Sequence, residues 1–230
     1  MMMLTVENHS VSYRGIPAVR HINFSLAPGT ATALIGANGA GKSSTLLAIA
    51  RALDTSARMS GRIDVAAGHK VSMVPERNKI FALLTVAENL TAADRQRGRG
   101  RVRVDDVYHW FPRLAERRTS LAGNLSGGEQ QMLAFGMALT GSPSLLLLDE
   151  PTLGLAVPII ERTCDTLAQL RRELDLTLLC AEADPQWIDR FAENALIMVR
   201  GAIATTFDAD LASHRDEIRS LVLGLQDVST

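Results

Sequence analysis

The segment GANGAGKSS, residues 36–44, constrains this chain more than any other. It fits the pattern G-x-x-x-x-G-K-[ST]. A short apolar run, Thr30 to Ile35, enters it, and helical spacing from Lys42 to Leu53 leaves it. Strand, glycine loop and helix in that order are the setting in which such a loop binds phosphate. Gly36, Gly39 and Gly41, with Asn38 and Ala40 between them, let the backbone curl so that its N–H groups converge on an anion. Lys42 then reaches the β- and γ-phosphates, the Ser43 hydroxyl ligates Mg²⁺, and Ser44 adds a contact.

The rest of the chain reads as α/β. Apolar runs at Leu145–Leu148, Thr177–Cys180 and Ala195–Val199 alternate with helical patterns at Pro158–Leu174 and Gln186–Phe191. That alternation predicts a parallel sheet covered on both faces. Upstream, Val6–Tyr13 and Ala18–Leu26 alternate loosely around Arg14-Gly15-Ile16-Pro17, and Arg62–Val65 and Val71–Val74 are short strands. From Glu76 to Gly141 the pattern is mostly helical, with Val86–Arg95, Asp105–Phe111 and Gly127–Leu139 as its helices. That stretch reads as an insertion. At 230 residues the chain allows one large domain, or one domain with a subdomain inserted.

Composition excludes several classes. The formal net charge is -1, so the basic balance of a nucleic-acid-binding domain is missing. Two cysteines, Cys164 and Cys180, both in apolar surroundings, predict a reducing compartment without a disulfide framework. No basic region followed by a long apolar stretch marks a signal peptide, and the apolar runs are too short to cross a bilayer. Membrane contact is therefore expected to go through a partner. The run RQRGRGRVR at 95–103 reads as a solvated loop, with lipid headgroups or nucleic acid as the alternative ligands.

Two further motifs carry chemistry. LLLLDE, 145–150, is a buried strand ending in two acids at the sheet's carboxyl edge, where ligands bind in such folds. Asp149 suits the Mg²⁺ shell, and Glu150 suits general-base activation of a water aimed at the γ-phosphate. Alone, such acids also serve as solvated strand ends or helix caps. LSGGEQQM, 125–132, opens a second helix with two glycines, which makes it a second anion-attracting helix start.

Together the three motifs resemble the ATP-binding cassette (ABC) ATPases over essentially the whole chain. The resemblance implies a P-loop NTPase fold with a RecA-like parallel core and an N-terminal antiparallel β subdomain, covering residues 1–75 and 142–230, and an inserted helical subdomain at 76–141. It implies ATP and Mg²⁺ as ligands. Two cassettes of this family pack head to tail, so Ser126, Gly127, Gly128 and Glu129 are expected to close over the partner's nucleotide while Gly36 to Ser44 hold the chain's own. Tyr13 matches the aromatic that stacks on adenine. Glu76 falls where most cassettes have a glutamine that links the γ-phosphate and metal to the helical subdomain, which makes it a catalytic and metal candidate beside Lys42, Ser43, Asp149 and Glu150. Phe81, Leu83 and Leu84 follow in the stretch that usually meets a permease, and Leu153 to Ala156 match the loop that crosses to the other cassette.

VPERNKIFALLTVAENL, YHWFPRLAERR and LLLLDEPTLGLA narrow the resemblance to the branched-chain amino acid importers, specifically the smaller, LivF-type ATPase subunit. That group implies ATP-driven import of amino acids at the cytoplasmic face of the membrane. Urea, amides and small carboxylates are the other solutes its relatives carry. The implied partners are a second ABC ATPase of the LivG type or a second copy of this chain, two permeases and an external solute-binding protein, with no nucleic acid. Two positions depart from the pattern. Ala183 stands where most cassettes have a histidine, or this group a glutamine, and it offers no side-chain hydrogen bond. A lost charge-assisted bond is worth about 1.5–3 kcal/mol, so a slowed site is expected, or one that binds ATP and leaves hydrolysis to the partner. Met137 replaces the usual arginine of the signature helix.

Overall fold

Two sheets organise the chain, and the loop at 36–44 leaves the larger of them. The structure, a computed structural model, describes residues 1–77, 79–97 and 102–223. Leu4–Tyr13 (β1) and Ile16–Leu26 (β2) pair antiparallel across the Arg14-Gly15 turn. Ala57–Val65 (β4) pairs with the other edge of β1, giving a three-stranded sheet in the order β2-β1-β4. The second sheet takes Ala31–Ile35 (β3), Val71–Val74 (β5), Leu145–Asp149 (β6), Thr177–Glu182 (β7), Asn194–Val199 (β8) and Ala202–Asp208 (β9) in the order β5-β6-β7-β3-β8-β9. All neighbours are parallel except the β8–β9 edge pair.

Every residue of β3, β6 and β7 is buried, as expected of strands covered on both faces. The two-residue period of a strand divides them between two cores. Leu146, Leu148, Leu178, Cys180, Ala33 and Ile35 face one cluster, and Leu145, Leu147, Leu179, Ala181 and Leu34 face the other. The first cluster joins the sheet to Val157–Leu174 (α6) and Gly127–Leu139 (α5), through Leu167, Leu170, Leu133 and Phe135. The second joins it to Lys42–Ile49 (α1) and the antiparallel sheet, through Leu46, Ile49, Val6 and Ile22. Each fully buried leucine contributes about 1.5–3 kcal/mol, so the carboxyl edge of these strands rests on a rigid base.

Several boundaries differ from the sequence pattern. The helix predicted over 42–53 stops at Ile49, because Arg51 turns left-handed at φ 56 and Ala52 N donates back to the Leu47 carbonyl at 2.8 Å. The strand predicted at 62–65 starts at Ala57, since β1 supplies partners as far as Tyr13. The helix predicted near 186–191 is a 3-10 turn, Pro185–Arg190, capped by the Asp184 carboxylate. The edge strand β9 and the final helix Arg215–Val222 (α7) follow the last strand that the apolar pattern marks. Of the basic run 95–103, residues 98–101 lie outside the described residues. Among the described residues no helix is long and apolar enough to cross a membrane.

The stretch between β5 and β6 is helical, with Val86–Arg97 (α2), Val104–Trp110 (α3), Pro112–Glu116 (α4) and α5. Asn89, fully buried on α2, ties down the segment before it. Its Oδ1 accepts from Phe81 N at 2.8 Å, and its Nδ2 donates to the carbonyls of Phe81 and Thr85 at 3.0 and 2.9 Å. Phe81 and Leu83 stay exposed on that segment at 49% and 88%. Asn89 thus ties down a piece of chain that carries two exposed apolar side chains. Replacing it with alanine strands the Phe81 N–H and is expected to cost about 2 kcal/mol, a fall in Tm of roughly 4–8 °C. Thermal unfolding followed by circular dichroism checks this, and an unchanged Tm removes Asn89 as the tether.

Candidate nucleotide-binding site

β3 delivers the glycine loop between β7 and β8. Gly36 N donates to the Glu182 carbonyl at 3.3 Å, and a Cβ at Gly36 would collide with the Met198 carbonyl oxygen. Gly41, the N-cap of α1, has φ 106 and would bring a Cβ within 2.5 Å of the Ala18 carbonyl oxygen. At both positions only glycine fits, so the loop stays close to its neighbours. Lys42 folds back over the loop. Its Nζ donates to the carbonyls of Gly36 at 2.7 Å and Ala37 at 3.3 Å, and pairs with Glu150 Oε1 at 3.2 Å. Only 4% of the Lys42 side chain and 10% of the Glu150 side chain are exposed.

The two acids at the end of β6 have different surroundings. Asp149 is buried and accepts from the Ser43 hydroxyl at 3.0 Å. Burial raises its pKa, and the Ser43 bond only partly opposes this. Glu150 takes the left-handed backbone, φ 47, and its N–H donates to the Ala181 carbonyl at 2.9 Å. That reversal swings its carboxylate out of the sheet and toward Lys42. A hydroxyl and a carboxylate oxygen held together are hard donors that fit Mg²⁺, and a cation beside Asp149 would offset the cost of burying its charge.

A cleft of about 520 Å³ brings together Tyr13, Asn38, Gly39, Gly41, Lys42, Ser43, Ser44, Glu76 and Glu150. Gly36 and Ala40 are buried behind it, and Asp149 joins through Ser43. Glu76 reaches the cleft from the end of β5, although its Oε1 accepts from Arg77 Nε at 3.1 Å. Leu153, from the loop that by resemblance crosses to the other cassette, and Arg77, next to Glu76, line the same space.

Ser126, Gly127, Gly128 and Glu129 do not line this cleft. They start α5 as a reciprocal cap. Glu129 Oε2 accepts from Ser126 N at 2.9 Å and from the Ser126 hydroxyl at 2.8 Å, while Ser126 Oγ accepts from Glu129 N at 3.4 Å. These bonds hold the Glu129 carboxyl below its ordinary pKa. So Glu129 is engaged in building the helix start. Gly128 packs against Ile159 of α6, which leaves no room for a side chain.

Motif reading passes over one buried acid, Glu182 at the end of β7. Its Oε1 accepts from the Thr152 hydroxyl at 2.9 Å and from Thr152 N at 3.2 Å. The available signal is that LTLLCAE ends as LLLLDE does, with an acid after an apolar run, and the two strands are neighbours. Burial raises the Glu182 carboxyl from its ordinary 4.5 to about 7, with the Thr152 bonds opposing. Burial likewise pushes the Cys164 thiol up to about 12 and raises Cys180 well above its ordinary 9, which keeps both thiols protonated at neutral pH.

The raised Glu182 value has a sign. Folded protein binds a proton that the unfolded chain has lost between pH 4.5 and about 7. The associated stability is full below pH 4.5 and is lost as pH rises through about 7. The loss by pH 8 is on the order of 3 kcal/mol. Glu182→Gln is expected to remove that dependence and to raise Tm at pH 8 while changing it little at pH 4.5. Thermal scans across this range check it, and parallel curves for the two proteins refute it.

Comparison with known proteins agrees with this geometry. The model of the ABC transporter family matches residues 19–153. The chain is 36% identical to the high-affinity branched-chain amino acid transport ATP-binding protein BraG of Pseudomonas aeruginosa, over 96% of this chain and 100% of that protein. It is 30% identical to the probable branched-chain amino acid transport ATP-binding protein LivF of Archaeoglobus fulgidus, over 98% and 100%. A solved structure of the ATP-binding subunit of an ABC transporter superposes with a TM-score of 0.80 at 24% identity, covering 96% of this chain and 99% of that one. A nucleotide-free ATP-binding cassette superposes with 0.77 at 19% identity, covering 97% and 96%. These two likenesses establish the fold. With its glycine loop, its two acids at the strand edge and its glycine-opened second helix, the chain belongs to the ATP-binding subunits of the ABC transporter family.

Proposed function

We propose that this chain hydrolyses ATP to drive an importer of branched-chain or related amino acids, docked on permeases at the cytoplasmic face of a membrane. The observation that carries the reading is the Lys42–Glu150 pair, which sets a phosphate-binding cation and a general base in one cleft. The solute rests on the names of the relatives BraG and LivF.

The roles follow from position. Tyr13 flanks the cleft where an adenine ring would stack, and the loop residues that line it, Asn38, Gly39 and Gly41 to Ser44, receive the phosphates. Lys42 has its charge in place before ATP arrives, held by two loop carbonyls. Binding of the phosphates offers Lys42 stronger acceptors, and that frees Glu150 to take a proton from water. Ser43, Asp149 and Glu76 are the residues that would hold Mg²⁺. When bound, the ion neutralises charge on the phosphates.

Residues 76–141 act as the helical subdomain in this reading, and 1–75 with 142–230 as the core. The start of α5, at Ser126 to Glu129, serves a second cassette's nucleotide, in a pair with a LivG-type paralogue or a second copy. Exposed Phe81 and Leu83, held by Asn89, meet the permease. An external binding protein delivers the solute.

The assembled complex tests this. ATPase activity is expected, with Glu150→Gln lowering it about 100-fold or more. Undiminished turnover in that variant removes Glu150 as the base. Uptake of labelled leucine or valine that depends on this chain supports the solute, and uptake indifferent to its loss refutes it. Ala183→His is expected to raise single-turnover hydrolysis on the order of ten-fold, the worth of one charge-assisted hydrogen bond. An unchanged rate means that another group makes the γ-phosphate contact.

A further inference from the structure

We infer that Glu182 is a positioning residue for hydrolysis, clasping Thr152 so that the turn after β6 holds Glu150 in place. The inference rests on the ATPase reading above.

The geometry is local and closed. β6 and β7 run side by side in register, with Asp149 opposite Ala181. One residue beyond that pair, the Glu150 N–H donates to the Ala181 carbonyl at 2.9 Å. The chain then reverses, with Glu150 left-handed and Leu153 N donating back to the Glu150 carbonyl at 3.2 Å. A left-handed glutamate is a strained conformation that persists only where its surroundings fix it. The next fixed point is Thr152. It is buried at 8%, and both its N–H and its hydroxyl donate to one oxygen of Glu182, itself 4% exposed. So the strand end of β7 grips the turn twice, by a main-chain carbonyl at Glu150 and by a carboxylate at Thr152.

Glu182 also touches the glycine loop. Its residue is the β-partner of Ile35, and its carbonyl accepts from Gly36 N. One residue therefore references the general base to the phosphate loop. Lys42 and Glu150 are the charged groups within its electrostatic reach. Beside it Ala183 offers no polar side chain, so the end of β7 acts on this turn through Glu182. Small displacements of a base cost large factors in rate, because the proton must be met at hydrogen-bond distance.

The test is steady-state ATPase of the assembled complex. Glu182→Ala is expected to lower kcat at least about ten-fold while KM for ATP changes less than about three-fold, since the phosphate loop keeps its own contacts. Glu182→Gln keeps a carbonyl oxygen for Thr152 and is expected to hold at least a third of the native kcat. Thr152→Val removes the hydroxyl donor and is expected to fall toward the Ala variant, with Thr152→Ser close to native. Should Glu182→Ala fail to fold, the Val and Ser pair at 152 decides. A native kcat in Glu182→Ala or in Thr152→Val overturns the clasp. A Gln variant as slow as the Ala variant also overturns it, because charge and not the clasp is then what matters. An inactive native complex fails the ATPase reading itself and this inference with it.

Discussion

A lysine and a glutamate 3.2 Å apart, both nearly closed off from water, join the two halves of this site. Lys42 comes from the loop after β3, and Glu150 from the turn after β6. Such a pair is poor evidence for stability, because desolvating two charges offsets most of their attraction. Its value lies in what it excludes. With Glu150 paired to Lys42, the proposed base is engaged until phosphate competes for the lysine. The pair therefore needs both strands fixed relative to each other to better than an ångström. That demand accounts for β7, which lies between them in the sheet, pairs with both and is buried along its whole length.

The site's motif residues were legible in the sequence because their partners are near in the chain or are set by the sheet edge. Gly36 to Ser44 needs only the strand before it and the helix after it. LLLLDE is legible because four leucines in a row bury a strand on both faces, and the acids then have to sit at its end. Glu182 and Asn89 were not legible. Glu182 has its partner 30 residues away, and nothing local distinguishes an acid that grips a turn from one that is solvated. Asn89 reads as an ordinary polar position of an amphipathic helix, and only the fold shows that the 81–85 segment wraps onto it. β9 escaped for a related reason. Ala202–Asp208 is half-exposed and antiparallel at an edge, so it lacks the continuous apolar run of its neighbours.

In the proposed reading the start of α5 serves structure and binding together. Ser126 and Glu129 satisfy each other, which fixes the first turn and leaves the carboxylate committed. An anion approaching this end meets the glycine amides and the helix dipole, with the Glu129 charge nearby opposing it. Attraction here is thus moderate, and a second anchor is needed for a tight grip. In the proposed pair that anchor is the glycine loop of the facing cassette, so neither half-site is sufficient and closure depends on nucleotide.

Between the two sits the loop from Leu153 to Ala156, exposed at Leu153, Gly154 and Ala156. It begins three residues after Glu150 and one after Thr152, and its far end starts α6, where Ile159 packs on Gly128 of the signature. A push on this loop from a facing molecule has two rigid ends to act on. At one end the Glu182–Thr152 hydrogen bonds resist it two residues from Glu150. At the other, the Ile159 contact passes it to α5. A stiff loop between fixed ends transmits displacement, whereas a slack one absorbs it. In the proposed pair, the buried hydrogen bonds at Thr152 would bear on more than the aim of a single glutamate: they would make the state of the facing surface felt at Glu150, and the state of Glu150 felt at α5.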